Sequence, residues 1–129
     1  MGSRDKIERY LVKLSLTFQE AGAGTWVVRD AERGLENLVI ILSEPLVILR
    51  INVMDVPSSG KEKLFEELLR LNATDLVHGA YAIDGKTVIL IDTLEAEEMD
   101  IEEFEASIDA IGLALAQHYR TLSRYRVKA

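Results

Sequence analysis

The sequence contains no cysteine. That excludes disulfide frameworks, zinc–thiolate sites, iron–sulfur clusters and thiol nucleophiles together. Basic residues are also short: 15 Lys and Arg stand against 22 Asp and Glu, for a formal charge of −7. A chain that tracks nucleic-acid phosphates needs the opposite balance, so no nucleic-acid partner is expected. Long apolar runs are missing too. The longest, such as Leu38 to Leu42 and Leu46 to Leu49, are strand-sized, against the roughly 20 residues that span a bilayer. Arg4, Asp5, Lys6, Glu8 and Arg9 occupy the stretch where a secretory signal turns apolar, and Lys6 stands where myristoylation requires Ser or Thr. No membrane association and a cytoplasmic location are the default expectation.

Catalytic signatures are equally scarce. No G-x-S-x-G elbow and no Rossmann glycine triplet occurs. Ser58-Ser59-Gly60-Lys61 follows a strand-like run, but the early glycine of a phosphate loop is absent and Glu62 would repel phosphate. His78 and His118 lack the spacing of a metal pair, so both read as structural or surface residues. From Asp92 to Asp109 the chain carries Glu95, Glu97, Glu98, Asp100, Glu102, Glu103 and Glu105 with no Lys or Arg. A cation site or acid–base pair would use such residues, yet negative charge at a helix start complements the dipole, and Arg120, Arg124, Arg126 and Lys128 close the same helix. The solvated-face reading is preferred. No enzyme activity, metal or cofactor is expected.

What is present is the composition of a globular chain. The 129 residues are 48% hydrophobic and 29% charged, the size and balance of one domain spanning 1–129. Ile7, Leu11, Leu14 and Phe18 repeat at helical spacing, with Ser3 as N-cap and Gly22-Ala23-Gly24 as the stop, which predicts a helix over about 4–21. Three β-rich runs follow, at Thr25 to Asp30, Leu38 to Leu42 and Leu46 to Val53. Ser59 and Glu62 form a capping box for a second helix with Leu64, Leu68 and Leu71 inward and Asn72 near its end. Val77 to Ile83 and Lys86 to Asp92 flank Asp84-Gly85, a two-residue hairpin turn. Asp100 with Glu103 caps a third helix whose stripe is Ile101, Phe104, Ile108, Ile111, Leu115, Tyr119 and Leu122. The order α-β-β-β-α-β-β-α predicts an α+β two-layer fold, with helices packed on a twisted antiparallel five-stranded sheet.

A sheet covered on one side alternates apolar and polar residues. These strands do not. With Ser43-Glu44-Pro45 as the loop, Val39, Ile41, Val47 and Leu49 share one face, which leaves Leu38, Ile40, Leu42, Leu46 and Ile48 on the other. In the later hairpin, Tyr81, Ile83, Val88 and Leu90 are the bulkier set, so Ala80, Ala82, Ile89 and Ile91 fall on the lesser face. Either the helices cover both sides or a partner covers one. Three helices can hardly seal both, which favours a homodimer with a polypeptide-binding surface at Leu38, Ile40, Leu42, Leu46, Ile48, Ala80, Ala82, Ile89 and Ile91.

The stretch from Leu69 to Leu122, with Leu71-Asn72, His78-Gly79-Ala80-Tyr81-Ala82-Ile83-Asp84-Gly85, Val88-Ile89-Leu90 and the long closing helix, resembles the YbjN-like family and, more distantly, the class I type III secretion chaperones. Element order extends the resemblance over nearly the whole chain. It implies a small acidic homodimer without catalytic residues, whose exposed apolar patches hold an extended or partly folded client polypeptide. The expected mechanism is that the spare sheet face and an open strand edge take up client side chains and backbone. Two other readings stay open: a regulatory dimer whose second subunit consumes all the spare surface, and a small-molecule enzyme with a cleft near His78, Tyr81 or the acids of Asp92 to Asp100.

Overall fold

The computed structural model describes residues 2–126. Its elements are α1 (Ser3–Lys13), β1 (Thr17–Glu20), β2 (Thr25–Asp30), β3 (Leu35–Ser43), β4 (Leu46–Asp55), α2 (Lys61–Thr74), β5 (Ala80–Asp84), β6 (Thr87–Glu95) and α3 (Ile101–Ser123). The six strands form one antiparallel sheet in the order β1-β2-β3-β4-β6-β5. This is the expected α+β architecture with one strand more than the five anticipated. The extra strand comes from the first helix, which ends at Lys13 rather than near Ala21. Ser15 turns the chain in the left-handed region at φ 58°, and Phe18 packs against the core from β1 instead of from a helix. Helical and strand periods coincide over such short stretches, so the apolar spacing alone could not place the boundary.

The helix ends follow their sequence signals unequally. At α3, Asp100 accepts from the Glu103 N–H at 2.8 Å, and Glu103 accepts from the Asp100 N–H at 3.3 Å, which completes the expected capping box. At α2 the N-cap is Gly60, in the left-handed conformation, and no side chain caps the helix. Ser59 therefore lies one residue too early. Ser3 likewise sits inside α1, behind a Gly2 N-cap.

One sheet face meets the helices. Trp26, Val28, Leu38, Ile40, Val47, Leu49, Ile51, Val88, Leu90 and Tyr81 join Ile7 and Leu11 of α1, Leu64, Leu68 and Leu71 of α2, and Phe104, Ile108, Ile111 and Leu122 of α3 in a single core. On α3, His118 is 3% exposed and Tyr119 is 60% exposed. The core stripe therefore passes through His118, a correction to the expected Tyr119. Gly112 lets α3 sit directly on the β2–β3 turn: a Cβ there would lie 2.3 Å from the Arg33 carbonyl oxygen. Arg33 holds the same turn against α3 from the side, pairing with Asp30, with Asp109 at 2.8 Å and with Glu105 at 3.2 Å. Asp109 and Asp30 raise its already high pKa further, by hydrogen bonds first and charge second.

The two central hairpins show how register decides which residues face out. Ser43 pairs with Leu46 and Ile40 with Leu49, so the β3–β4 turn has two residues, Glu44 and Pro45, not three. That one-residue difference turns β3 over relative to β4. Leu38, Ile40 and Leu42 accordingly lie on the helix-covered face, with Leu38 and Ile40 at 0% exposure. In the β5–β6 hairpin, Asp84 pairs with Thr87 and Tyr81 with Leu90, a slip of two residues from the anticipated pairing. An even slip preserves the faces, and the predicted sides of that hairpin match the register.

Candidate polypeptide-binding surface

The sheet face away from the helices is the outstanding surface. Along it the register aligns Val27 of β2, Val39 and Ile41 of β3, Leu46 and Ile48 of β4, Ile89 and Ile91 of β6, and Ala80 and Ala82 of β5. None of these side chains belongs to the core. Most are half-buried by their neighbours in the sheet alone, and Leu46 is 38% exposed. Of the nine residues expected here, Leu46, Ile48, Ala80, Ala82, Ile89 and Ile91 are brought together. Leu38, Ile40 and Leu42 are not, because of the register change. Val39, Ile41 and Val27 take their places.

Ile89 is the exception in burial, at 4% exposed although it faces away from the helices. Arg50 of β4 and Asp84 of β5 form a salt bridge at 2.7 Å. Arg50 pairs with Ile91 and Asp84 with Thr87, so the bridge runs diagonally across β6 with Ile89 at the midpoint. The irregular register between Asn52 and Met54 on β4 supplies extra twist at this end. The open face therefore has an ionic strap at one end and uncovered apolar residues from Ile48 through Ile41 to Val27 at the other.

The two sheet edges differ. The β5 edge is met by Asn72 of α2, whose side-chain NH2 donates to the Tyr81 carbonyl at 3.1 Å while its oxygen accepts from the Tyr81 N–H at 2.7 Å. On β1, the Ala21 N–H donates to the Thr25 carbonyl at 2.8 Å, which fixes odd-numbered residues as those bonded to β2. The backbone groups of Phe18 and Glu20 therefore point outward, and no hydrogen bond to them occurs among the described residues. The Glu20 carboxylate is tied to Arg4 at 2.6 Å, leaving that backbone edge open.

The polar residues inside the molecule serve structure. His118 Nδ1 lies 2.7 Å from the Tyr81 hydroxyl and its Nε2 lies 3.2 Å from Asp75. In the tautomer that carries its N–H on Nε2, facing the Asp75 carboxylate, Nδ1 accepts from the Tyr81 O–H. Burial, and then the charge of Asp75, push the Tyr81 phenol up to about 12. Hydrogen bonds from Thr74 and then from His118 hold the Asp75 carboxyl below its ordinary value. This chain of contacts joins α2, β5 and α3, with each ring nitrogen of His118 in a hydrogen bond. A cavity of about 370 Å³ beside it is lined by Val77, His78, Ala110, Leu113 and Asp109. Tyr81 is outside that cavity, Asp75 in its wall is bonded to His118, and Asp109 is engaged by Arg33. Among the described residues no group of three His, Asp or Glu side chains is placed to hold a metal ion, and no helix is long and apolar enough to cross a membrane.

The chain belongs to the CesT_Tir_1 family, whose profile matches residues 2–128. This is a family of non-catalytic type III secretion chaperones. Its fold is that of YbjN from E. coli, with a TM-score of 0.73 at 15% identity over 92% of each chain. A chain of the ExoU-SpcU complex from the type III secretion system of Pseudomonas aeruginosa matches with a TM-score of 0.70 at 20% identity, covering 86% of this chain and 93% of that one. The Yersinia pestis type III secretion chaperone SycH, solved with a fragment of YscM2, gives 0.65 at 13% identity over 90% and 98%. No curated protein sequence matches the chain.

Proposed function

We propose that this protein is a cytoplasmic, chaperone-like homodimer that shields an apolar segment of a client polypeptide. The observation that carries the reading is the sheet face lined by Val27, Val39, Ile41, Leu46 and Ile48, which no helix covers and which adjoins the open β1 edge. A client segment laid along β1 gains main-chain hydrogen bonds, while its alternate side chains reach the apolar face. The formal charge of −7 keeps the loaded complex soluble. Support comes from the relatives solved in complexes: ExoU-SpcU, the HopA1-SchA chaperone-effector complex, ExsC-ExsE, and SycH with its YscM2 fragment. For the second copy, Val77 at 90% exposure and Leu113 at 58% share one cavity rim and offer apolar area apart from the sheet face.

The test compares wild type with the Ile41→Asp/Ile48→Asp variant. Light scattering measures oligomeric state, an apolar-surface dye reports uncovered area, and pulldown from a bacterial lysate measures client recovery. A dimer that binds dye, and loses both dye and client on substitution, is expected. Unchanged client recovery by the folded variant overturns the assignment of the surface, and a dimer that binds no dye favours a regulatory module with no client.

A further inference from the structure

We infer that Asn72 closes the β5 edge of the sheet by standing in for a strand residue, leaving β1 as the one edge open to strand addition. The paired donor and acceptor that its amide presents to Tyr81, at 3.1 and 2.7 Å, reproduce the two bonds that an added antiparallel strand would make at that residue. On the five-residue β5 (Ala80–Asp84), backbone groups point outward only at alternate residues, so Tyr81 and Ile83 are the two sites an incoming strand could use. Asn72 takes one. Ile83 alone cannot hold a strand in register. The amide is carried by α2, whose Leu64, Leu68 and Leu71 lie in the core.

The consequence is geometric. A sheet with two open edges can join β5 of one molecule to β1 of the next, and such a head-to-tail contact does not close but grows as a filament. A sheet with one open edge can pair only with a single partner strand. Asn72 is thus a specificity-determining residue: it limits strand addition to one site per subunit. That this remaining site receives a client rests on the proposed function; the closure of β5 does not.

The experiment uses the protein alone, so failure of the client reading leaves its outcome intact. Sedimentation velocity is run over a hundredfold concentration range on wild type, Asn72→Ala, and Asn72→Ala combined with Ile83→Pro, since proline on an edge removes the remaining outward N–H. Growth of Asn72→Ala past two chains with rising concentration, reversed by Ile83→Pro, is expected. The same species as wild type, or growth that proline does not reverse, overturns the inference. Amide exchange on wild type decides the matter even if Asn72→Ala does not fold: the Tyr81 N–H is expected to exchange about tenfold more slowly than that of Ile83, the worth of one net hydrogen bond. Equal rates refute the closure.

Discussion

Ile40 and Ile41 are chain neighbours on β3 that the two-residue Glu44-Pro45 turn sends to opposite faces, and substituting each in turn measures that register directly. Ile40 is 0% exposed and packed among Trp26, Leu49 and the helices. Ile40→Ala removes a buried side chain and leaves a cavity, at a cost of about 2–5 kcal/mol. Ile41 is half-buried against sheet neighbours only, so Ile41→Ala forfeits about half of a full burial, or about 1 kcal/mol. The gap of about 2 kcal/mol corresponds to about 1 M in the urea midpoint for a domain of this size. Equilibrium unfolding in urea followed by circular dichroism reads it. Equal losses, or a larger loss at Ile41, would refute the register and the surface built on it. Repeating the titration at a hundredfold higher protein concentration adds a further discrimination, because a second copy seated on Ile41 makes its cost concentration-dependent while that of Ile40 stays fixed.

Two further outcomes follow from the contacts of α3. The Tyr81 phenol is raised to about 12 from 10, so the fold favours its neutral form. Its contribution is constant below pH 10 and is lost as pH rises toward 12, when the unfolded chain ionises first. Wild type should lose about 2–3 kcal/mol more than Tyr81→Phe across that interval, as measured by urea midpoints at pH 9, 11 and 12; parallel losses would show that the phenol is not the group involved. Gly112→Ala places a methyl 2.3 Å from the Arg33 carbonyl oxygen. Backbone must move to admit it, and a loss of about 1–3 kcal/mol is expected, read as a lowered melting temperature; a stability gain from the better helix former would mean that the β2–β3 turn is not seated there.

The three helices, the five strands from β2 onward and the α3 capping box were legible because each rests on local chemistry. Capping depends on Asp100 and Glu103 three residues apart, and the β5–β6 hairpin on alternation around Gly85. The faces were less so. They depend on whether a turn has an odd or an even number of residues, and nothing in Ser43-Glu44-Pro45 alone distinguishes Ser43 as the last paired residue from Ser43 as the first loop residue. An even slip in the other hairpin left Ala80, Ala82, Ile89 and Ile91 on the expected side, whereas an odd slip moved Leu38 and Ile40 into the core and Leu42 against it. β1 was hidden because Leu14 and Phe18 satisfy a helical period by coincidence. Burial of His118 had a readable signal: it continues the steps Phe104, Ile108, Ile111 and Ala114 toward Leu122, all of them buried, although the stepped spacing through Leu115 and Tyr119 fits a helix equally well. The edge role of Asn72 had none, since its partner is a backbone nine residues away.

The ionic strap over Ile89 gives the open face two halves that answer oppositely to dissolved salt. The Arg50–Asp84 pair has side chains 27% and 60% exposed, so mobile ions weaken it. The bare aliphatic half is strengthened by excluded salts such as sulfate. A rise in ionic strength therefore loosens the Arg50–Asp84 pair at one end of the face and sharpens the appetite of the aliphatic half for oily side chains. Dilute buffer does the reverse, tightening the ionic end and softening the greasy one.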